Sequence, residues 1–275
     1  MTFSGVFVPL VTPFDADDAV DLAALRGLAH EVLDAGASGL VALGTTGEPA
    51  ALSPGEQQAV VEVVAKVCRE HGAPLVVGSG PVDEAAAALA LVPPFLRPGE
   101  AGVIAHFAAL AAASPIPLIV YHVPYRTGQP LSAHAIRELA AIEGVAGIKL
   151  AVGGIDTVTI ELMAGPPPGF AVLGGDDAVI SPLLALGAAG GILASAHFAT
   201  REFTELAAAW RDGDTGRARA LGHRLSALSI ALFAEPNPTV VKGVLHAQGR
   251  IPTPAVRLPL LSAAPGSVRA AAALV

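Results

Sequence analysis

A (β/α)8 barrel with a C-terminal helical extension is the fold class this sequence predicts, on three observations. Apolar runs of strand length recur eight times and alternate with segments of helical periodicity. Inside those runs the apolar residues are continuous rather than interleaved with polar ones, as parallel strands covered by helices require. The length of 275 residues suits one such unit, because α/β barrels reach about 250 residues as single domains. The expected division is a barrel over residues 1–200 and helices packed on it over 201–275. A doubly wound sheet is the competing architecture, but the loop after the first strand reads Pro-Phe-Asp-Ala-Asp-Asp and holds no Gly-x-Gly-x-x-Gly turn.

The first strand is expected over residues 5–13. Asp21 then caps an amphipathic segment closed by Gly36. The second strand, residues 39–44, ends in Thr45-Thr46-Gly47-Glu48. Ser53-Pro54-Gly55-Glu56 is a capping box with proline at the first helical position, and it opens a helix reaching Gly72. Strands three and four are expected over 74–78 and 89–94, a helix over 99–113, strand five over 117–124 and a helix over 132–142. Strand six is Val145 to Ala151, followed by a helix over 155–164, strand seven ending at Gly175, a short helix through Leu186 and strand eight at Gly-Gly-Ile-Leu-Ala-Ser-Ala. Three helices complete the chain: one with Trp210, one from Arg224 to Ala234 and one from Pro238 to Gln248. Only about ten residues separate strands three and four, too few for a parallel crossover that contains a helix. Either a helix has been deleted there or the chain is interrupted near Ser79 and Gly80, and an interruption is the expectation.

Hydrophobic residues make up 53% of the chain and charged residues 15%, with a formal net charge of −8. Acidity without a basic cluster argues against nucleic acid and anionic membranes as partners. No apolar run reaches the roughly 18 residues needed to span a bilayer, and the opening residues lack the basic start of a secretion signal. The lone cysteine, Cys68, rules out an internal disulfide framework and fits a reducing, cytoplasmic setting.

The chemistry is read at strand ends, since barrels of this class place their sites at the C-terminal face. Lys149 lies within the apolar run V-A-G-I-K-L-A, where a charged amine is costly to desolvate. Either it reaches solvent or a carboxylate at the strand's end, or burial lowers its pKa and leaves a free amine able to form an imine with a ketone. Gly-Thr-Thr-Gly-Glu offers backbone N–H groups and two hydroxyls, those of Thr45 and Thr46, suited to a small carboxylate, although the same residues also make an ordinary turn. Tyr121 in I-V-Y-H-V-P is a core residue or a proton relay. Arg126 in the next loop is a solvated cation or a fork for a second carboxylate. Asp176 and Asp177 read as loop-ordering or helix-capping residues, with too few converging ligands for a metal, and His122 and His197 read as satisfied structural groups.

In order and spacing, G-T-T-G-E, Y-H-V-P-Y-R-T-G, G-I-K-L-A, G-G-D-D and E-P-N-P-T-V-V-K-G resemble the dihydrodipicolinate synthase and N-acetylneuraminate lyase family, over residues 5 to about 259. The resemblance implies a Schiff base between Lys149 and the ketone of pyruvate, with Tyr121 and Thr45 as the acid/base relay. It implies substrate binding by Thr46, Arg126, Gly44 and Ile192, and no metal or organic cofactor. Arg126 corresponds to the arginine that receives the aldehyde's carboxylate in the synthase branch, which makes aspartate semialdehyde the expected second substrate. The alternatives are an aldolase of a 2-keto-3-deoxy sugar acid or sialic acid, and a catalytically idle relative that binds a keto acid. Relatives of this kind assemble as dimers or dimers of dimers, so a homo-oligomer is expected. One departure stands out: Pro93-Pro94-Phe95-Leu96-Arg97-Pro98 replaces the family's P-Y-Y-N-K-P. Phe95 lacks the hydroxyl that completes the relay across the interface, so water or His122 would substitute, or the second substrate differs, or the enzyme is slow.

Overall fold

The computed structural model describes residues 3–275. Eight parallel strands close into a barrel in sequence order, β1 (Gly5–Pro9), β2 (Gly39–Ala42), β3 (Leu75–Val77), β4 (Ala87–Leu91), β5 (Leu118–His122), β6 (Val145–Leu150), β7 (Ala171–Gly174) and β8 (Gly190–Ile192), with β8 pairing back onto β1. The architecture is that of a TIM barrel. Alternate strand residues fill the interior, where Phe7, Val41, Val76, Leu89, Ile119, Leu173 and Ile192 form one buried cluster. Their neighbours along each strand, such as Val8, Val120 and Ile148, face outward beneath the helices and are fully buried there. Burial on both faces explains the absence of polar alternation, and each such side chain contributes about 1.5–3 kcal/mol.

The helices of the ring are α1 (Leu22–Asp34), α2 (Pro54–His71), α3 (Gly99–Ala113), the single turn α4 (Pro124–Thr127), α5 (Ala133–Ala140), α6 (Thr157–Met163), α7 (Ile180–Ala185) and α8 (Ala196–Asp212). Local sequence sets their ends. Asp21 accepts the N–H groups of Ala23 and Ala24 to cap α1. The Ser53–Glu56 capping box opens α2, and Gly72 closes it at φ 63°, ψ 25°, a left-handed conformation glycine adopts without steric cost. The helix with Trp210 is α8, which packs on β1 and α1 and so covers the seam where the barrel closes; its indole N–H donates to Ser181 Oγ at 2.9 Å. After it come α9 (Thr215–Leu232), α10 (Thr239–Ala247) and α11 (Pro265–Ala272).

Several expectations are corrected. β4 covers Ala87–Leu91 rather than 89–94, and β1 stops at Pro9 rather than residue 13. The alanine-rich stretch before Leu89 gave no signal for where pairing begins. α9 starts nine residues earlier than Arg224, and α4 and α11 were not foreseen. The chain is not interrupted at Ser79 and Gly80. Residues 78–86 join β3 directly to β4 without a helix, and Ser79 donates its hydroxyl to Gln57 of α2. The ring therefore lacks its third crossover helix.

Candidate active site

Lys149 lies on β6 beside Tyr121 on β5 and Leu173 on β7. Its side chain turns into the barrel and is 7% exposed. The amine stands 4.5 Å from the centre of the Tyr121 ring. Gly175, one residue past β7, makes room for it: a Cβ there would come within 2.7 Å of Lys149 Cε. Burial drives the amine pKa down to about 8, while the carboxylates of Asp177 and Asp176 work against that shift and Arg126 adds to it.

The two carboxylates are themselves fixed by backbone N–H groups. Asp177 is buried and accepts Ser195 N–H at 2.6 Å, and burial lifts its carboxyl pKa to about 6. Asp176 accepts Gly153 N–H at 2.7 Å, and its pKa too is raised by burial. Both order loops, as the sequence suggested, and both also set the field at Lys149, which it did not suggest. Among the described residues no group of three or more His, Cys, Asp or Glu side chains is placed to hold a metal ion.

Thr45–Gly47 form one turn of 3-10 helix, separated from the end of β2 by Leu43 and Gly44. The Thr46 hydroxyl oxygen accepts the amide of Asn237 at 2.9 Å. The Tyr121 phenol has its pKa raised, chiefly by burial, with the adjacent Thr45 hydroxyl and the Arg126 cation opposing the rise. At neutral pH it is a protonated donor.

Lys149, Tyr121, Thr45, Thr46, Arg126 and Ile192 all line one cavity of about 620 Å³ at the C-terminal face, together with Asp176, Asp177 and Asn237. Gly44 does not. It precedes the turn and lines a second, mostly apolar cavity of about 370 Å³ that shares Thr45, Tyr121, Arg126 and Asn237 with the first. The single turn α4 carries Arg126 to the wall between the two, with its guanidinium 5.9 Å from the Tyr125 ring centre. Tyr125, Gly175 and Asn237 were missed as wall residues. Asn237 lies in the E-P-N-P motif and Gly175 in G-G-D-D, so the signal was present without a direction for either side chain.

His197 is satisfied, contacting Ala194 O at 2.9 Å through Nδ1 and accepting Val11 N–H through Nε2 at 3.4 Å. His122 is not: its Nδ1 is buried without a partner. Period-two alternation on β5 turns it outward, into a cavity of about 100 Å³ between the strands and α5 and α6. It therefore cannot replace a missing phenol at the site. Phe95, at φ 68°, is 87% exposed and lines neither of the two larger cavities.

A family model described as the dihydrodipicolinate synthetase family matches residues 2–273. The chain belongs to this family. It is 39% identical to the 4-hydroxy-tetrahydrodipicolinate synthase of Methanothrix thermoacetophila, covering 94% of this chain and 91% of that protein. With the synthase of Neisseria meningitidis serogroup B it shares 36% identity, covering 94% and 92%. The crystal structure of chloride-inhibited dihydrodipicolinate synthase from Acinetobacter baumannii, complexed with pyruvate, superposes with a TM-score of 0.92 at 33% identity, over 99% of this chain and 98% of that one.

Proposed function

We propose that this chain is a Schiff-base-forming lyase of the synthase type, which condenses pyruvate with an aldehyde, aspartate semialdehyde being the preferred one. The observation that carries the reading is a buried lysine amine, its pKa lowered to about 8, 4.5 Å from a half-buried phenol ring in a cavity also lined by two threonines and an arginine.

The Lys149 amine attacks the ketone carbon of pyruvate, whose carboxylate lies against the Thr45–Gly47 turn and the Thr46 hydroxyl. Tyr121 donates its proton to the carbinolamine oxygen, which leaves as water and yields the iminium. The resulting phenolate, relayed by Thr45, takes a proton from the methyl carbon, and the electron pair flows to the iminium nitrogen as the enamine forms. The enamine carbon then adds to the aldehyde, whose carboxylate meets Arg126 and whose oxygen takes up the proton that Tyr121 removed from the methyl carbon. Hydrolysis of the new iminium returns the free amine. Phe95, without a hydroxyl and turned to solvent, supports a second reading in which the aldehyde is a sugar-derived one and the reaction runs as an aldolase.

No helix among the described residues is long and apolar enough to cross a membrane. The single thiol is buried, with its pKa pushed up to about 12 by desolvation, so it is poorly reactive, and a chain with one cysteine suits a cytoplasmic setting. Leu91, Phe95, Leu96 and Tyr125 are exposed apolar or aromatic side chains, Leu91 and Tyr125 lining the two cavities, and they support assembly into a homo-oligomer. Borohydride reduction in the presence of pyruvate tests the central claim. A stable adduct is expected on Lys149 and absent from Lys149→Arg, and an unmodified wild-type chain refutes the imine. A panel of aldehydes in the same assay divides synthase from aldolase.

A further inference from the structure

Two buried charged side chains lie just outside the set used above. Glu48 follows the Thr45–Gly47 turn, and Lys242 belongs to α10, beyond the eight strand units. Their side chains are 2% and 0% exposed. Lys242 Nζ donates to Glu48 Oε1 at 2.8 Å and to the carbonyl of Thr12 at 2.8 Å, and it stands 4.0 Å from the centre of the Phe14 ring. The other Glu48 oxygen accepts the backbone N–H of Arg257 at 2.9 Å. Thr12 in turn donates its hydroxyl to the Gly47 carbonyl at 2.8 Å. Both charges are thus fully partnered, and every contact converges on the end of the turn. Glu48 also holds φ 55°, ψ 41°, a left-handed conformation disfavoured for a residue with a Cβ and maintained only where its surroundings enforce it.

A buried ion pair adds little net stability, because desolvating two charges offsets their attraction, and matched apolar residues hold a fold as well. What such a pair supplies is a single geometry. The same terminal segment reaches the turn a second time, through Asn237 and Thr46, five residues before Lys242. The turn is therefore gripped at its middle and at its end by one strap.

We infer that Lys242 and Glu48 are positioning residues, whose ion pair fixes the Thr45–Gly47 turn so that its hydroxyls and N–H groups face the keto acid. The inference rests on the reading of that turn as the carboxylate cradle. It assigns to the pair the affinity for pyruvate, while neither charge is among those that set the pKa of Lys149.

The test measures the pyruvate concentration giving half-maximal borohydride trapping, its maximal rate, and the melting temperature, for wild type, Glu48→Gln, Lys242→Met and the double variant. Each single change leaves one buried charge without its partner, so both lower the melting temperature, and the double variant recovers much of it. Half-saturation should rise about tenfold or more in Glu48→Gln and stay raised in the double variant, alongside any fall in maximal rate from the displaced Thr45. Phe107→Leu, a buried change on α3, should lower the melting temperature without moving half-saturation. If the double variant regains affinity together with stability, or if Glu48→Gln matches wild type, the pair is merely structural and the inference is overturned. A wild-type chain that takes up no pyruvate overturns the cradle reading as well, so the two failures are told apart.

Discussion

The reactivity of Lys149 is a balance between burial, which favours the neutral amine, and the carboxylates of Asp177 and Asp176, which favour the ammonium; burial is the larger effect and leaves the pKa at about 8. The sign of the pH dependence follows. Attack on a ketone requires the free amine, whose fraction falls about tenfold per pH unit below the pKa and saturates above it. The rate of adduct formation with pyruvate should therefore climb with pH and level off above about 8. Asp177, with its own pKa near 6, is ionised across the range where this rise occurs. Asp177→Asn removes a charge that holds the proton on Lys149, so the midpoint of the rate profile should move to lower pH. An unchanged midpoint would show that this carboxylate does not act on the amine. The lysine was legible in the sequence because a charge inside a strand pattern is conspicuous. The aspartates were legible only as loop residues, since G-G-D-D does not say which carboxylate turns inward.

At the scale of elements, the start of α2 shows what local sequence conveys and what it omits. Ser53 and Glu56 form the capping box that their spacing announces, with Ser53 N–H donating to Glu56 Oε2 at 2.7 Å. Arg257, 201 positions further on, donates to the same carboxylate at 2.7 Å and 3.0 Å and to Asp18, tying the C-terminal segment to both α2 and the β1 loop. That bond is the main reason the Glu56 pKa falls from 4.5 to about 2. A carboxyl whose pKa is lower in the folded than in the unfolded chain contributes stability that is complete above about 4.5 and fades as pH falls toward 2. Glu56→Gln should thus cost melting temperature at pH 7 and cost progressively less as pH falls through that window. Equal losses at pH 7 and pH 3 would rule out the ionic contribution. Caps, glycine stops and apolar runs are local and could be read directly. Tertiary bonds such as Arg257 to Glu56, or Asn237 to Thr46, depend on closure of the barrel, and no spacing encodes them.

The molecule as a whole departs from eightfold regularity in one sector. Eight strands were countable because each is a continuous apolar run, and the shortness of the segment after β3 was visible, but whether the barrel tolerates it depends on closure. It closes with β3 and β4 paired only through Val76–Ala87 and Val77–Ala88, against five aligned pairs between β5 and β6. No helix lies between α2, which packs on β3, and α3, whose Leu110 edges the gap beside β4. An outer groove of about 320 Å³ remains there, lined by Val77, Val82, Ala88, Ala90, Leu110 and Leu118. The outward residues Ala88 and Ala90 are only half-buried, whereas Val120 and Ile148 on β5 and β6 are wholly enclosed. Local opening is easiest where few apolar contacts must be broken and water already reaches the strand. Amide hydrogen exchange under native conditions should therefore be fastest, among the strands, over 87–91, and slowest over 118–122 and 145–150. Lys149 and Tyr121 lie on the slow pair, so pyruvate uptake should proceed while the bare sector opens. Uniform protection around the barrel would show that the closed ring of strands distributes its stability regardless of the missing helix.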